Sequence, residues 1–527
     1  MTRVIALLLL AALAGCTSPA GSGESDPQYL RLAESDDVPT LDPARGYDTS
    51  SWQYEAMLFD TLLDYDDDST LVPKLATAWE VTADGRVFTF YLRHDVHFSN
   101  GRPLVAADVA YAIARVLTPR TRSQGAEFFR GIEGAAACTD AGCTLDGIEI
   151  PDAYTIRFHL HEYDPLFLHK LAMPFAAAVP AEEIDRWGED FGRHPVGSGP
   201  FRLVEWRSGQ RLVFERNPDY FVSGVPRLPG IVRLVGVNDD LAWLKFESGQ
   251  LDVDPSIPPP EFPRVMKDPR YRPLRRQETT MRTQYIGMNC ALPPFTDRRV
   301  RQALNFAVNK QKLLRLINQR GVVAKGVLPP NMPGYNPHVP GYAFDPQRAR
   351  QLLAAAGFPD GFGTTLWVRL DDTTLRLAQA VQQDLAEVGV RLRIKPVAWG
   401  PLLEAVRSAD LVPLFLLGWE ADFPDPSNFL EVLFHSKNIG SNNDTNYRNQ
   451  EVDALLDRAA HTLEPAARVD VLQAAELRVI DDAPWVFLYH PVSYAVVNPR
   501  VQDFRLHPLR PPRFTHVWLQ QGAPATP

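Results

Sequence analysis

Basic charge is in short supply in this sequence. Lysine and arginine number 54 against 64 aspartates and glutamates, a formal net charge of −10, and no long run of one sign occurs. With a pI near 5.7 the chain has no basic face for nucleic acid or another polyanion. Cysteine is also scarce, four in 527 residues. Cys138 and Cys143 are separated by four residues with no second Cys or His pair at suitable spacing, which leaves a zinc site without a complete ligand set. There is no Gly-x-Ser-x-Gly elbow and no His-Glu-x-x-His pair, so the usual marks of a serine or zinc hydrolase are missing. Long hydrophobic runs are missing too. The run from Val4 to Leu13 is too short to span a bilayer, and no other stretch approaches that length.

What is present is a globular composition, 45% apolar and 22% charged. That is enough to bury a large core, and over this length it predicts two or three lobes. At the start, Arg3, the apolar run and the small residues that follow have the form of a secretory signal. Leu13-Ala14-Gly15-Cys16 resembles the bacterial lipobox, in which the cysteine receives a diacylglyceryl group and becomes the mature N-terminus. Residues 1–16 are then a lipoprotein signal peptide and 17–27, TSPAGSGESDP, a flexible tether reaching roughly 18 Å. The expected location is extracytoplasmic and membrane-anchored, on the periplasmic face or cell surface of a bacterium. In such an oxidising compartment Cys138 and Cys143 of ACTDAGC can close a small disulfide loop, since Asp140 and Gly142 let the chain turn. Cys290 has no evident partner and reads as a buried small hydrophobe.

Along the body, Trp79 to Phe98 alternates apolar and polar residues around Asp84-Gly85, as a β-hairpin does. LVAADVAYAIARVL follows with helical spacing and stops at Pro119. TIRFHLHEY from Thr155 is a further strand. His159 and His161 share its outer face, which reads as a solvated face rather than a metal pair. Beyond residue 345, helix and strand alternate. Asp345-Pro346 caps one helix, Gly389 ends another, VRLRIKPV alternates, and LVPLFLLGW is apolar on both faces. A parallel or mixed α/β sheet is predicted there. Ligands of open α/β sheets bind beyond the carboxyl ends of the strands, which is where GWEADFPDPSNFL, residues 418–430, falls.

Several blocks are similar to the large solute-binding proteins of ABC importers, family 5, which include the oligopeptide- and dipeptide-binding proteins. LATAWEVTADGRVFTFYLRHDVHFSNGRPLVAADVAYAI (75–113), PVGSGPFRLVEWRSGQRLVFERNPDYF (195–221) and VRQALNFAVNKQKLL (300–314) carry the resemblance. FDPQRARQLLAAAGFPDGF, NYRNQEVDALLDRA and DDAPWVFLYHPVSYAVVNPRVQDF extend it almost to the end. The resemblance implies an α/β, two-lobed periplasmic-binding-protein-like fold with mixed sheets, a hinge, and an extra α+β domain. Lobe I would be discontinuous, 28–72, 196–288 and 498–520. The extra domain would be 73–195 and lobe II 289–497.

It also implies that the chain is no enzyme, needs no cofactor or metal, and works as a monomer that captures peptides and delivers them to a membrane permease with its ATPase. In peptide-binding members the acidic residue of a Trp-x-Ala-Asp motif pairs with the ligand's α-ammonium. Here the motif is Trp419-Glu420-Ala421-Asp422, so Asp422 is the expected counter-charge and Trp419 the wall of a side-chain pocket. By position in ESDDVPTLDP, Asp37 and Val38 are expected beside the ligand. Asp425, between two prolines, reads as a turn former, and Glu420 as a structural neighbour. LWVRLDDTTLRLAQ is shorter than the segment that carries the carboxylate-gripping arginine of dipeptide specialists, so Arg369 is not equated with it and longer peptides are favoured. Two other readings stay open: the same fold holding a metal complex, glycan or haem, and a secreted hydrolase using the carboxylates of 418–430.

Overall fold

The computed structural model describes residues 28–408, 410–509 and 512–522; the signal segment, Cys16 and the tether lie outside them. Three principal sheets organise the chain. The first has the order Leu30–Glu34, Gly230–Val235, Arg211–Arg216, Phe201–Arg207, and its first pair is parallel. The strands of that first pair are thus 201 positions apart, Leu30 beside Ile231, because another unit is inserted between them. Buried Asp252 fastens the separated segments. It accepts Arg31 N at 2.8 Å and Arg31 Nε at 3.1 Å, and from the far end of the chain Arg500 Nε at 2.7 Å.

The inserted unit is an antiparallel sheet of Ala76–Val81, Val87–Leu92, Thr155–His159 and Ile148–Asp152. Its hairpin turns through Gly85 at φ 67°, a conformation that costs glycine little. Phe88, Phe90, Ile156 and Phe158 point inward and meet helix Ala106–Leu117, whose Val109, Ile113 and Val116 form the stripe buried against them. Asp108 closes that helix's first turn by accepting Val105 N at 2.9 Å, and Pro119 stops it. In the same unit Cys138 and Cys143 are joined in a disulfide across a turn closed by Thr139 and Gly142. Cys290 is a free, half-buried thiol, and burial pushes its pKa up to about 11. No helix of the described residues is long and apolar enough to cross a membrane.

The largest sheet has eight strands. Its main path runs Val253–Asp254, Trp485–Val497, Arg282–Met288, Leu414–Glu420, Gly363–Arg369, Arg391–Val397. Gly363–Arg369 is parallel to both its neighbours, whereas Arg282–Met288 is antiparallel to both of its own, so the sheet is mixed. Leu414 to Leu417 are buried, as an interior strand requires. The boundary expected at 289 cuts this sheet just after a central strand: Arg282–Met288 pairs with the strands of the second lobe. Strand Trp485–Val497 is long enough to serve both lobes. Its first half pairs with Arg282–Met288, and its second with Arg275–Thr279 and Val253–Asp254. Between the two partner strands Thr280 N donates to Pro491 O at 3.1 Å, at the crossing from one lobe to the other.

Candidate ligand-binding site

Beyond the end of strand Leu414–Glu420 the backbone turns sharply, and its hydrogen bonds show how. Ala421 N donates to Met281 O at 2.9 Å and Asp425 N to Phe423 O at 2.9 Å. Helix Ser427–Phe434 begins immediately after. Asn428, in its first turn, ties the loop together. Its Oδ1 accepts Trp419 Nε1 and Asp422 N, both at 3.1 Å, and its Nδ2 donates to Asp422 Oδ2 at 3.1 Å. Trp419 and Asp422 are therefore oriented by one side chain before any ligand arrives.

Both line a cavity of about 1250 Å³ between the lobes. That exceeds the roughly 300–1,000 Å³ of ordinary small-molecule sites. From the N-terminal side, Tyr47 donates its hydroxyl to Asp422 Oδ1 at 3.2 Å. Tyr47 itself packs on Trp52 and Phe175, with ring centroids 5.6 and 5.3 Å away. Trp52, Phe128, Tyr285 and Trp399 add further aromatic wall. Burial raises the Asp422 pKa to about 6, with a further push from Glu420, against the opposing pull of the Asn428 and Tyr47 hydrogen bonds. Burial likewise pushes the Tyr47 hydroxyl up, and Asp422 adds to it. Among the described residues no cation pairs with Asp422.

Asp425 has a different environment. Burial would raise its pKa, but Arg468 donates to both its oxygens, at 2.6 and 2.9 Å, and Ser427 Oγ donates at 2.6 Å, so it ends below the usual carboxylate range. Both of its oxygens are engaged inside the fold. Glu420 lies at the exposed strand end, opposite Arg282 in the ladder.

Asp37 and Val38, expected beside the ligand, are engaged within their own lobe. Asp37 accepts Trp206 Nε1 at 3.1 Å and Gly209 N at 2.9 Å, which commits its carboxylate to the turn of its own sheet, and Val38 is buried in that lobe's core. Neither lines the cavity; from that segment Glu34 does. Arg369 lies outside it as well, over the Trp399 ring at 5.5 Å. His159 sits beside Glu149 at 3.2 Å, and no group of three or more metal-ligating side chains forms among the described residues. Tyr47 and Asn428 are cavity positions bonded to Asp422 that sequence reasoning missed. Only the closeness of Asn428 to the acidic motif offered a signal.

Two lobes joined by a shared strand, with an aromatic and acidic cavity between them, define a solute-binding protein. The chain belongs to the bacterial extracellular solute-binding proteins of family 5, whose middle-region model matches residues 70–441. Heme-binding protein A of Haemophilus influenzae is 30% identical over 481 residues, 87% of this chain and 85% of that protein. The dipeptide-binding protein of Escherichia coli is 28% identical, covering 90% and 91%. Among solved structures, clavulanic acid biosynthesis oligopeptide binding protein 2 superposes with a TM-score of 0.85 at 28% identity, covering 94% of this chain and 95% of that one. The periplasmic binding protein DppA of Helicobacter pylori, in complex with the peptide STSA, gives 0.79 at 26% identity, covering 94% and 98%. These relatives are named for binding rather than catalysis.

Proposed function

We propose that this protein captures peptides with a free N-terminus in the interlobe cavity and passes them to an ABC permease. The observation that carries this reading is Asp422: a carboxylate held in place by Asn428, facing a large cavity, with no cation paired to it among the described residues. A ligand α-ammonium supplies the missing charge, and removal from water on closure strengthens the pair. The size of the cavity favours tripeptides and longer ligands over dipeptides. Calorimetry with a tripeptide and its N-acetylated form tests the reading. The free form should bind at least about tenfold tighter, the equivalent of one charge-assisted hydrogen bond. Equal affinities would remove Asp422 from the recognition of an ammonium.

The relationship to a haem-binding protein supplies a second reading. Among the described residues, haem propionates would have to enter a cavity lined by seven carboxylates and two permanent cations, Lys170 and Arg407. Lys170 is already held by Asp164 at 2.5 Å. The wall charge favours the peptide.

Anchoring belongs to the same proposal. A diacylglyceryl group on Cys16 would insert two chains, and each buried CH₂ contributes about 0.8 kcal/mol, which is enough for stable attachment. Cells expressing Cys16→Ser should release the protein from the membrane fraction. Retention equal to the parent would overturn the lipobox reading.

A further inference from the structure

Another cavity carboxylate that pairs with no cation among the described residues is Asp444. Its loop is tightly fixed. Asn443 donates from Nδ2 to Tyr447 O at 2.9 Å and accepts Tyr447 N at 3.1 Å, Thr445 Oγ1 donates to Asn443 Oδ1 at 3.1 Å, and Cys290 N donates to Thr445 O at 2.8 Å. Within this bonded frame Asp444 lines the cavity, and its Oδ1 is buried with no hydrogen-bond partner. A carboxylate so placed is costly to the protein alone, which is a reason to look for a partner that arrives from outside.

The surroundings indicate what that partner is. Burial raises the Asp444 pKa to about 7, and the field of Arg407 only moderates this. Arg407 makes no ion pair with it and is itself exposed. Trp399, Leu403 and Arg407 follow one another at four-residue spacing on helix Trp399–Val406 and its C-cap, so they present one face to the cavity. Tyr285 is close enough to Asp444 to be affected by its charge. Aromatic faces beside a carboxylate suit a guanidinium or ammonium group, which takes both a charged hydrogen bond and a ring contact. The excess of carboxylates around the whole cavity also draws cations in.

We propose that the preferred ligands are cationic peptides, with Asp444 receiving an arginine or lysine side chain while Asp422 holds the α-ammonium; this rests on the peptide reading above. The test uses calorimetry on Ala-Ala-Ala, on the three tripeptides with one alanine replaced by arginine, and on the same three with citrulline, a neutral isostere. At least one arginine peptide should bind about tenfold or more tighter than its citrulline counterpart. In Asp444→Asn that gap should close, while Ala-Ala-Ala binds as in the parent, which also shows that the variant is folded. If arginine and citrulline peptides bind the parent alike, or if the gap survives in Asp444→Asn, the inference is overturned and the peptide reading stands. If Asp444→Asn weakens Ala-Ala-Ala equally, the residue is structural and the inference again falls. If no peptide binds at all, both readings fall together.

Discussion

Tyr47 and Asp422, 375 positions apart in the chain, meet at 3.2 Å across the cavity. One comes from the N-terminal segment and the other from the loop after a central strand of the large sheet, so the contact exists only when the two lobes face each other. It places a neutral donor on the carboxylate that the ligand's ammonium is proposed to share. Asp422→Ala should therefore weaken binding of a free-amine peptide at least about tenfold, and more if the ammonium is stranded in the closed cavity. Tyr47→Phe should cost less, on the order of 0.5–1.5 kcal/mol, because the hydroxyl is uncharged. N-acetylation of the peptide removes the same partner from the other side. Acetylation combined with Asp422→Ala should then cost less than the sum of the two changes, and strict additivity in the four-way calorimetric cycle would refute the pairing.

The same carboxylate sets a pH dependence. Its pKa in the empty cavity is raised to about 6, chiefly by burial, and a bound ammonium pulls it down. Affinity for free-amine peptides should be greatest near pH 7, fall as the pH drops through 6, where binding must first expel a proton, and fall again above about pH 8 as the α-ammonium itself deprotonates. Tyr47, Asn428 and Glu420 face the group; Tyr47 has its pKa pushed upward and Asn428 does not titrate, so neither changes state in this window. Acetylated peptides should show no such fall. Parallel profiles for both ligand forms would count against the assignment.

Asp425 should behave in the opposite way. Its pair with Arg468 is buried on both sides, with side-chain exposures of 11% and 10%. Arg468→Met should cost about 3–5 kcal/mol of stability by leaving the carboxylate uncompensated, with peptide affinity per folded molecule little changed. The sign with pH follows from its lowered pKa. The contribution is complete above the unfolded value of about 4 and is lost as the pH falls through the lower folded value, so parent and variant converge in stability in acid. Thermal unfolding from pH 7 to pH 3 measures it, and a constant gap would contradict the argument.

Much of this fold is legible from local pattern. The hairpin of residues 76–92, helix Ala106–Leu117 and the apolar strand Leu414–Glu420 each carry their period in a short window, and a period survives whatever packs against it. The acidic motif was legible for the same reason, since the turn after a buried strand is where a cleft opens. Partners distant in the chain were not. Nothing near residue 47 marks Tyr47 as facing Asp422. Nothing near Asp37 shows that Trp206 and Gly209, 169 and 172 positions away, consume its carboxylate. Nor does the pattern at Arg282–Met288 show that it pairs with Leu414–Glu420 and Trp485–Val497, because alternation says that a segment is a strand, but not which sheet it joins.

The Cys138–Cys143 bond encloses a very short loop, so it removes little unfolded-state entropy, about 2 kcal/mol in the chain-entropy model. Replacing both cysteines by serine should lower the unfolding midpoint slightly and leave peptide affinity intact, since neither lines the cavity. A peptide map of unreduced protein should contain the linked fragment, and free thiols at both positions would rule the bond out.

Phe423 links the ligand loop to closure itself. It sits between Asp422 and Pro424 on a loop of the large sheet, yet it is 3% exposed and belongs to the hydrophobic core of the inserted unit, with its ring stacked on His169 at 5.9 Å. Parting the lobes would draw this ring out into water. Full burial of a phenylalanine is worth about 1.5–3 kcal/mol, so Phe423 biases the protein toward the closed arrangement by a comparable amount. Phe423→Ala should shift the empty protein toward an open form with a larger radius of gyration in solution scattering. It should also weaken every peptide by a similar factor, about tenfold, because the ligand must then supply the closure energy that the ring provided. Phe423→Leu, which keeps most of the apolar surface, should fall between the two. A variant that melts earlier but scatters and binds like the parent would show that the ring serves only the stability of the core, and that closure is governed elsewhere.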